Sequence, residues 1–287
     1  DIGNVNPTGT AIYSNESFTN SGAGADIEGT ADAFHYIYQP VSGDVTITAH
    51  MESLDNTDPW AKAGVMIRST TAADAINTMT AITPSSGVSF QKRTANGGST
   101  SSTVVAGVAS PVWIRLQKIG DAISSYRSAD GVSWTQIDTA TTVTLPSNFY
   151  VGLAVTSHSN GTLTTATYSN VSVIHAVTAP TFSPAEGTYT SIQSVTLSSA
   201  TEGATIRYTT DGSTPNSTST VYSGAIELNS TTTIKAFASK SGMENSAVET
   251  ALYTINLPIV AEPTFSLAGG TYTSVQSVTL STATEGA

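Results

Sequence analysis

Residues 112–128 read VWIRLQKIGDAISSYRS, and this stretch decides the fold class. Two strand-like runs, VWIRLQKI (112–119) and AISSYRS (122–128), are separated by Ile119-Gly120-Asp121. A period-two apolar pattern broken by a glycine turn predicts an antiparallel hairpin. A second turn is expected at Asp130-Gly131, a favoured two-residue hairpin pair. Working outward, similar runs occupy 34–39, 44–51, 61–69, 75–83, 88–94, 133–138, 149–158 and 163–173. About ten strands with no helical periodicity predict an all-β, jelly-roll β-sandwich over residues 1–175. Trp113 and Trp134 fall within these runs and are expected in the core.

Composition agrees. Of 287 residues, 48 are Thr and 39 Ser, and 11% are charged, against about 25% in an average soluble protein. β-Branched and small turn-forming residues favour strands and tight turns. The net charge is −11, and the ten basic residues are scattered, with only Lys92 and Arg93 adjacent. Without a basic stripe to displace phosphate counterions, no nucleic-acid partner is expected. No apolar run approaches the roughly 20 residues of a membrane span. The absence of cysteine removes disulfides and thiol chemistry. The opening residues DIGNVNPTG lack the form of a signal peptide, so any export signal is expected to have been removed or to lie outside this sequence.

An internal repeat organises the rest of the chain. Residues 180–204 (PTFSPAEGTYTSIQSVTLSSATEGA) return as 263–287 (PTFSLAGGTYTSVQSVTLSTATEGA), differing at four of 25 positions with an offset of 83. A complete module is expected over 179–257 and a truncated second copy over 262–287. Its short alternating runs and the Asp211-Gly212 and Ser223-Gly224 turns predict a small antiparallel sandwich. The stretch ATIRYTTDGSTPNSTSTVYSGAIELNSTTTIKAFASKSGMENSAV, with Tyr208 to Pro215 at its centre, resembles the C-terminal Ig-like repeat of chitobiases and β-hexosaminidases. That resemblance implies an Ig-like (fibronectin type III-like) spacer or accessory module, not a catalytic one.

The first domain, through GDVTITAHMESLDNTDPWAKAGVMIRST, WIRLQKIGDAISSYRSADGVSWTQI and YVGLAVTSHSNGTLTTATYSNVSV, resembles the concanavalin-A-like (laminin-G-like) jelly roll attached to bacterial secreted glycosidases and surface proteins. The resemblance implies a fold that hosts many ligands.

Candidate site residues follow from strand alternation. Lys62, Gly64, Met66 and Arg68 share one face of their strand, and Ala63, Val65 and Ile67 take the core face. Neighbouring strands bring Gln91 and Arg93, and Asn77 and Met79. Tyr36, Tyr38, Trp60 and His158 are expected nearby. Planar polar groups that bond vicinal hydroxyls, beside rings that stack on sugar faces, suit glycan binding. The predicted carbohydrate-binding set is therefore Lys62, Arg68, Gln91, Arg93, Asn77, Trp60 and His158. The alternative is that Arg68 and Arg93 form buried ion pairs with aspartates and Trp60 caps the core. A structural calcium ion is a second candidate, on Asp26, Glu28 and Asp32 in the loop GADIEGTAD. The alternative there is three solvated carboxylates. No strand carries carboxylates at i, i+2 or i, i+4, as a concanavalin-like glycosidase would. The segment DNTDP reads as a turn capped by its Asx side chains.

Two functions from different classes remain. One is a non-catalytic, lectin-like module plus spacer from a secreted, multi-modular bacterial protein acting on polysaccharide, whose parent could be a glycoside hydrolase or lyase. The other is a structural cell-surface protein, such as an adhesin, S-layer component or filament subunit, associating with itself through its repeats.

Overall fold

The computed structural model describes residues 1–285, so the last two residues of the expected partial repeat lie outside the described residues. Every regular element described is a strand or bridge, and no helix is long and apolar enough to cross a membrane. The chain divides into two compact units. The first comprises Asp1–Thr178 with Thr201–Ala204 and Ala238–Ala247, and the second holds the rest.

Unit one carries β1 (Thr10–Ser14), β2 (Ser17–Gly22), β3 (Ile27–Glu28), β4 (Ala31–Asp32), β5 (His35–Ser42), β6 (Val45–Leu54), β7 (Lys62–Arg68), β8 (Asn77–Thr83), β9 (Gly87–Arg93), β10 (Ser101–Val105), β11 (Val112–Ile119), β12 (Ala122–Ser128), β13 (Thr135–Thr142), β14 (Asn148–Thr156) and β15 (Thr164–His175). Thirteen of them form two antiparallel sheets, and β3 and β4 pair as a separate hairpin. One sheet has seven strands in the order β1-β2-β15-β6-β11-β12-β13, the other six in the order β10-β9-β8-β7-β14-β5.

The core between the sheets is built by alternation. Val45, Ile47, Ala49 and Met51 of β6 meet Ala63, Val65 and Ile67 of β7, with Phe90, Ile114, Leu116, Leu153 and Tyr168. Each large apolar side chain removed from water contributes about 1.5–3 kcal/mol. Two hydroxyls meet across this core. Thr80 Oγ1 lies 2.7 Å from Ser125 Oγ and donates to the Arg115 carbonyl at 3.1 Å, tying one sheet to the other. Gly64 sits where strands approach closely: a Cβ there would lie 1.9 Å from the Thr80 carbonyl oxygen.

Three expectations change. Fifteen strands replace about ten, because short segments such as β1 (TAIYS, exposed throughout) and β10 (SSTVV) carry no strict alternation. The Asp130-Gly131 pair does not make a two-residue hairpin. The Asp130 carboxylate accepts the N–H groups of Val132 and Ser133, at 2.8 and 2.7 Å, and holds a longer loop from Ser128 to Thr135. Trp113 and Trp134 are not core. Trp113 is half-buried on the outward face, its ring 4.8 Å from His50, and half-buried Trp134 stacks under the Arg115 guanidinium at 3.8 Å.

A second, smaller core covers part of the other face of the six-stranded sheet. Ile2, Ile27, Phe34 and Tyr36, from the N-terminal segment and the start of β5, pack on Met66, Met79, Ala81 and Ala154. This covering segment determines which part of that face stays open.

Unit two contains a three-stranded sheet, β16 (Thr181–Ser183), β18 (Gln193–Ser198) and β21 (Ile226–Leu228), in that order. Its five-stranded sheet runs β17 (Gly187–Tyr189), β23 (Glu249–Ile255), β22 (Thr232–Ser239), β19 (Thr205–Thr209) and β20 (Thr220–Val221). Val195, Leu197, Leu228, Ile234 and Tyr253 are buried, and the Tyr253 hydroxyl donates to the Pro184 carbonyl at 2.7 Å. Asp211 accepts the Ser213 N–H at 2.9 Å, with Gly212 at φ 78°, as its turn residues imply. The partial repeat forms β24 (Thr264–Phe265) and β25 (Leu280–Ser281).

Candidate functional site

The predicted glycan-binding residues separate into two groups. Arg68, Arg93 and Asn77 are at most 1% exposed, sealed beneath the N-terminal segment. Arg93 grips Asp32 with both terminal nitrogens, Nη1 to Oδ2 at 2.8 Å and Nη2 to Oδ1 at 2.6 Å. Arg68 Nη1 donates to Asp32 Oδ2 at 3.0 Å, and Asn77 Nδ2 to the same oxygen at 3.1 Å. Backbone carbonyls of Thr70 and Ala72 accept from Arg68, and those of Glu28 and Gly29 from Arg93. The Arg68 guanidinium also lies 5.2 Å over the Phe34 ring. A buried ion cluster is held only when its remaining donors are satisfied, which this network largely achieves. These three residues are therefore structural, and their assignment to a glycan face is corrected by burial.

Trp60, Lys62, Gln91 and His158 line a single pocket of about 400 Å³. Its wall continues through Asp26, Glu28, Thr83, Ser89, Ser102 and Val104. Strand geometry explains the grouping. Lys62, Thr83, Ser89 and Gln91 all point away from the main core on β7, β8 and β9, just beyond the part of the sheet that the N-terminal segment covers. Trp60 stands on the turn before β7, where Asp58 Oδ1 accepts its N–H at 2.7 Å, so the DNTDP turn is capped as expected. Its side chain is 48% exposed at the rim, and it does not cap the core.

The β3–β4 hairpin supplies the acidic wall and splits the three carboxylates expected in a calcium loop. Register pairs Ile27 with Asp32 and Glu28 with Ala31. Ile27 and Asp32 thus share the inward face and are buried, while Glu28 points out into the pocket. Asp32 is occupied by two guanidiniums and an amide. Among the described residues, no three His, Cys, Asp or Glu side chains converge as a metal site. Asp26, Glu28 and Asp32 do not act as one ligand set.

Asp26 instead organises the pocket. It pairs with the Lys62 ammonium, and its Oδ2 lies 3.1 Å from His158 Nε2. His158 Nδ1 lies 3.3 Å from Asp58 Oδ1, so the imidazole bridges two carboxylates. The residue holds a left-handed backbone, φ 57°, just after β14. Glu28 accepts from Gln91 Nε2 at 2.9 Å, and the same nitrogen reaches the Ile27 carbonyl at 3.3 Å. Desolvation against this wall raises the Glu28 pKa above its ordinary 4.5, opposed by the Lys62 charge. Asp26 and Glu28, singled out as metal ligands, are pocket residues that sequence reasoning did not place in the glycan set. Their inclusion follows from hairpin register, which single-strand alternation does not reveal.

Residues 184–250 match the chitobiase/β-hexosaminidase C-terminal domain family. An endoglucanase of Clostridium saccharobutylicum is 41% identical over 98 residues, which is 34% of this chain and 18% of that protein. The chain therefore spans under a fifth of this curated relative's length. Among solved structures, a functionally unknown protein from Saccharomyces cerevisiae is similar, at 18% identity and a TM-score of 0.49, over 59% of this chain and 93% of that one. Carbohydrate-binding module CBM66 from Bacillus subtilis is similar at 19% identity and a TM-score of 0.39, over 58% and 91% of the two chains.

Proposed function

We propose that the first unit is a non-catalytic glycan-binding module and the second an accessory repeat, within a secreted or cell-surface protein that acts on polysaccharide. The observation that carries this reading is the pocket. A half-exposed indole stands beside Gln91, Glu28, Asp26 and hydroxyl side chains, in a cavity of about 400 Å³. An exposed ring contributes stacking area to a sugar face, and fixed acceptors and hydroxyls bond its rim. Asp26 and Asp58 are held by Lys62 and His158, so they serve as oriented acceptors and structural struts. The match at 184–250 and the partial likeness to an endoglucanase support a place beside a catalytic domain.

Retention of the full chain on insoluble polysaccharides, with calorimetric titration of the soluble oligosaccharides that compete, tests the reading. Trp60→Ala is expected to weaken binding at least tenfold while leaving the unfolding midpoint in place, because half of the indole is already in water. A wild-type chain retained by no polysaccharide would sink the proposal.

A further inference from the structure

We infer that this pocket selects uncharged sugars against uronic-acid and sulfated sugars, with Glu28 as the specificity-determining side chain. The inference rests on the glycan reading and adds the ligand's charge class.

The charges on the wall point one way. Asp26, Glu28 and Asp58 bring three carboxylates to the pocket and its struts, against one ammonium and one imidazole. Neither group is free for a ligand. The Lys62 side chain is 5% exposed and committed to Asp26, and His158 is held between Asp26 and Asp58. A pocket for sugar carboxylates or sulfates would call on an arginine fork. The two arginines that share this sheet face, Arg68 and Arg93, are buried on Asp32. An anionic sugar would meet Glu28 with no compensating guanidinium. Its Coulombic penalty would be felt strongly at a partly desolvated wall.

Gln91 supplies the second, independent observation. It is 2% exposed and lines the pocket, and its Nε2 is committed to Glu28 and the Ile27 carbonyl. Its Oε1 is a buried acceptor without a hydrogen-bond partner. A buried acceptor left unmet is costly, and a ligand donor relieves that cost once the amide turns toward the pocket. Sugar hydroxyls supply such donors. A carboxylate or sulfate supplies only acceptors. The unmet amide oxygen therefore calls for a hydroxyl donor, and the acidic wall sets the preference for an uncharged sugar.

The test titrates the full chain calorimetrically with neutral gluco-, xylo-, manno- and fructo-oligosaccharides, and with oligoglucuronate and oligogalacturonate. At least one neutral series is expected to bind through Trp60, with uronates at least tenfold weaker at low salt. Glu28→Gln should narrow that gap, and Glu28→Lys should narrow it further. Both sit at an exposed position, so folding is not at stake. Uronates that bind as tightly as neutral sugars, and in a Trp60-dependent way, overturn this inference and leave the glycan reading standing. A gap that neither Glu28 variant changes overturns the role of Glu28. Absence of Trp60-dependent binding to either class overturns the glycan reading and this inference together.

Discussion

Lys62 and Arg68 lie six residues apart on the same face of β7, and each meets an aspartate from the segment just before β5, yet their surroundings have opposite uses. Around Arg68 the N-terminal segment closes completely, and Asp32, Arg93 and Asn77 complete a network at most 3% exposed. Around Lys62 the cover stops, and Trp60, Gln91, Glu28 and His158 surround open space. Alternation along one strand fixes which side chains leave the core. Whether they become a lock or a pocket wall depends on what another segment lays over them.

The sharpest way to break this comparison is to remove the central carboxylate of the lock. Asp32→Ala leaves two guanidiniums buried with only backbone carbonyls, the Thr100 hydroxyl and the Met66 sulfur as acceptors. Loss of one member of a buried ion cluster costs about 3–5 kcal/mol. Urea unfolding of the full chain should show that loss in the first unit's transition. Asp26→Ala should cost less than half as much, because Asp26 is 24% exposed and water replaces it. Equal costs for the two substitutions would erase the distinction between lock and pocket.

How much of this was legible in the sequence follows from the same two places. The period-two runs around Lys62–Arg68 and Val112–Ile119 place Ala63, Val65, Ile67, Ile114 and Leu116 in the core, where they are found. The repeat and its turn residues mark the second unit. The buried ion-pair alternative for Arg68 and Arg93 is also what the structure holds. What alternation leaves open is tertiary. The partner of a cation 36 residues away in sequence, as Asp32 is from Arg68, depends on the path of an irregular segment with two-residue strands. For the same reason Asp26, Glu28 and Asp32, adjacent in sequence, looked like one ligand loop and belong to two sites. Trp113 was misplaced because an aromatic residue in a strand fits either face when His50 is there to cover its ring, and Trp134 because it lies in the loop before β13, under Arg115.

A milder probe acts on the pocket side alone. The Glu28 pKa is raised in the folded chain by desolvation. Its protonated form is thus the one the fold favours, and that contribution is fully present below the unfolded pKa and fades as pH rises through the higher folded value. Glu28→Gln should therefore be slightly more stable than wild type at pH 7 and lose that advantage as pH falls below 4.5, the group's ordinary value. The residue is exposed, so the gain should stay near the roughly 0.5 kcal/mol typical of surface positions. Denaturation midpoints of both proteins between pH 4 and 8 give the sign. A wild type that gains stability over the variant as pH rises would contradict the desolvated wall.

The smallest expected effect is none, and it separates the two sites most cleanly. If Asp26, Glu28 and Asp32 formed one calcium loop, the ion would bind the folded chain and not the unfolded one. A site filled at a hundredfold its Kd stabilises by about 2.7 kcal/mol. In a unit of 150–250 residues each kcal/mol moves the midpoint by about 2–4 °C, so the shift would reach roughly 5–10 °C. The hairpin register forbids that cooperation, because Asp32 faces inward onto Arg68 and Arg93 while Glu28 faces the pocket. Millimolar calcium or chelator should therefore leave the melting curve of the full chain unchanged. A calcium-dependent rise would mean that Asp32 can leave its guanidiniums. The lock and the pocket would then be two states of one movable hairpin.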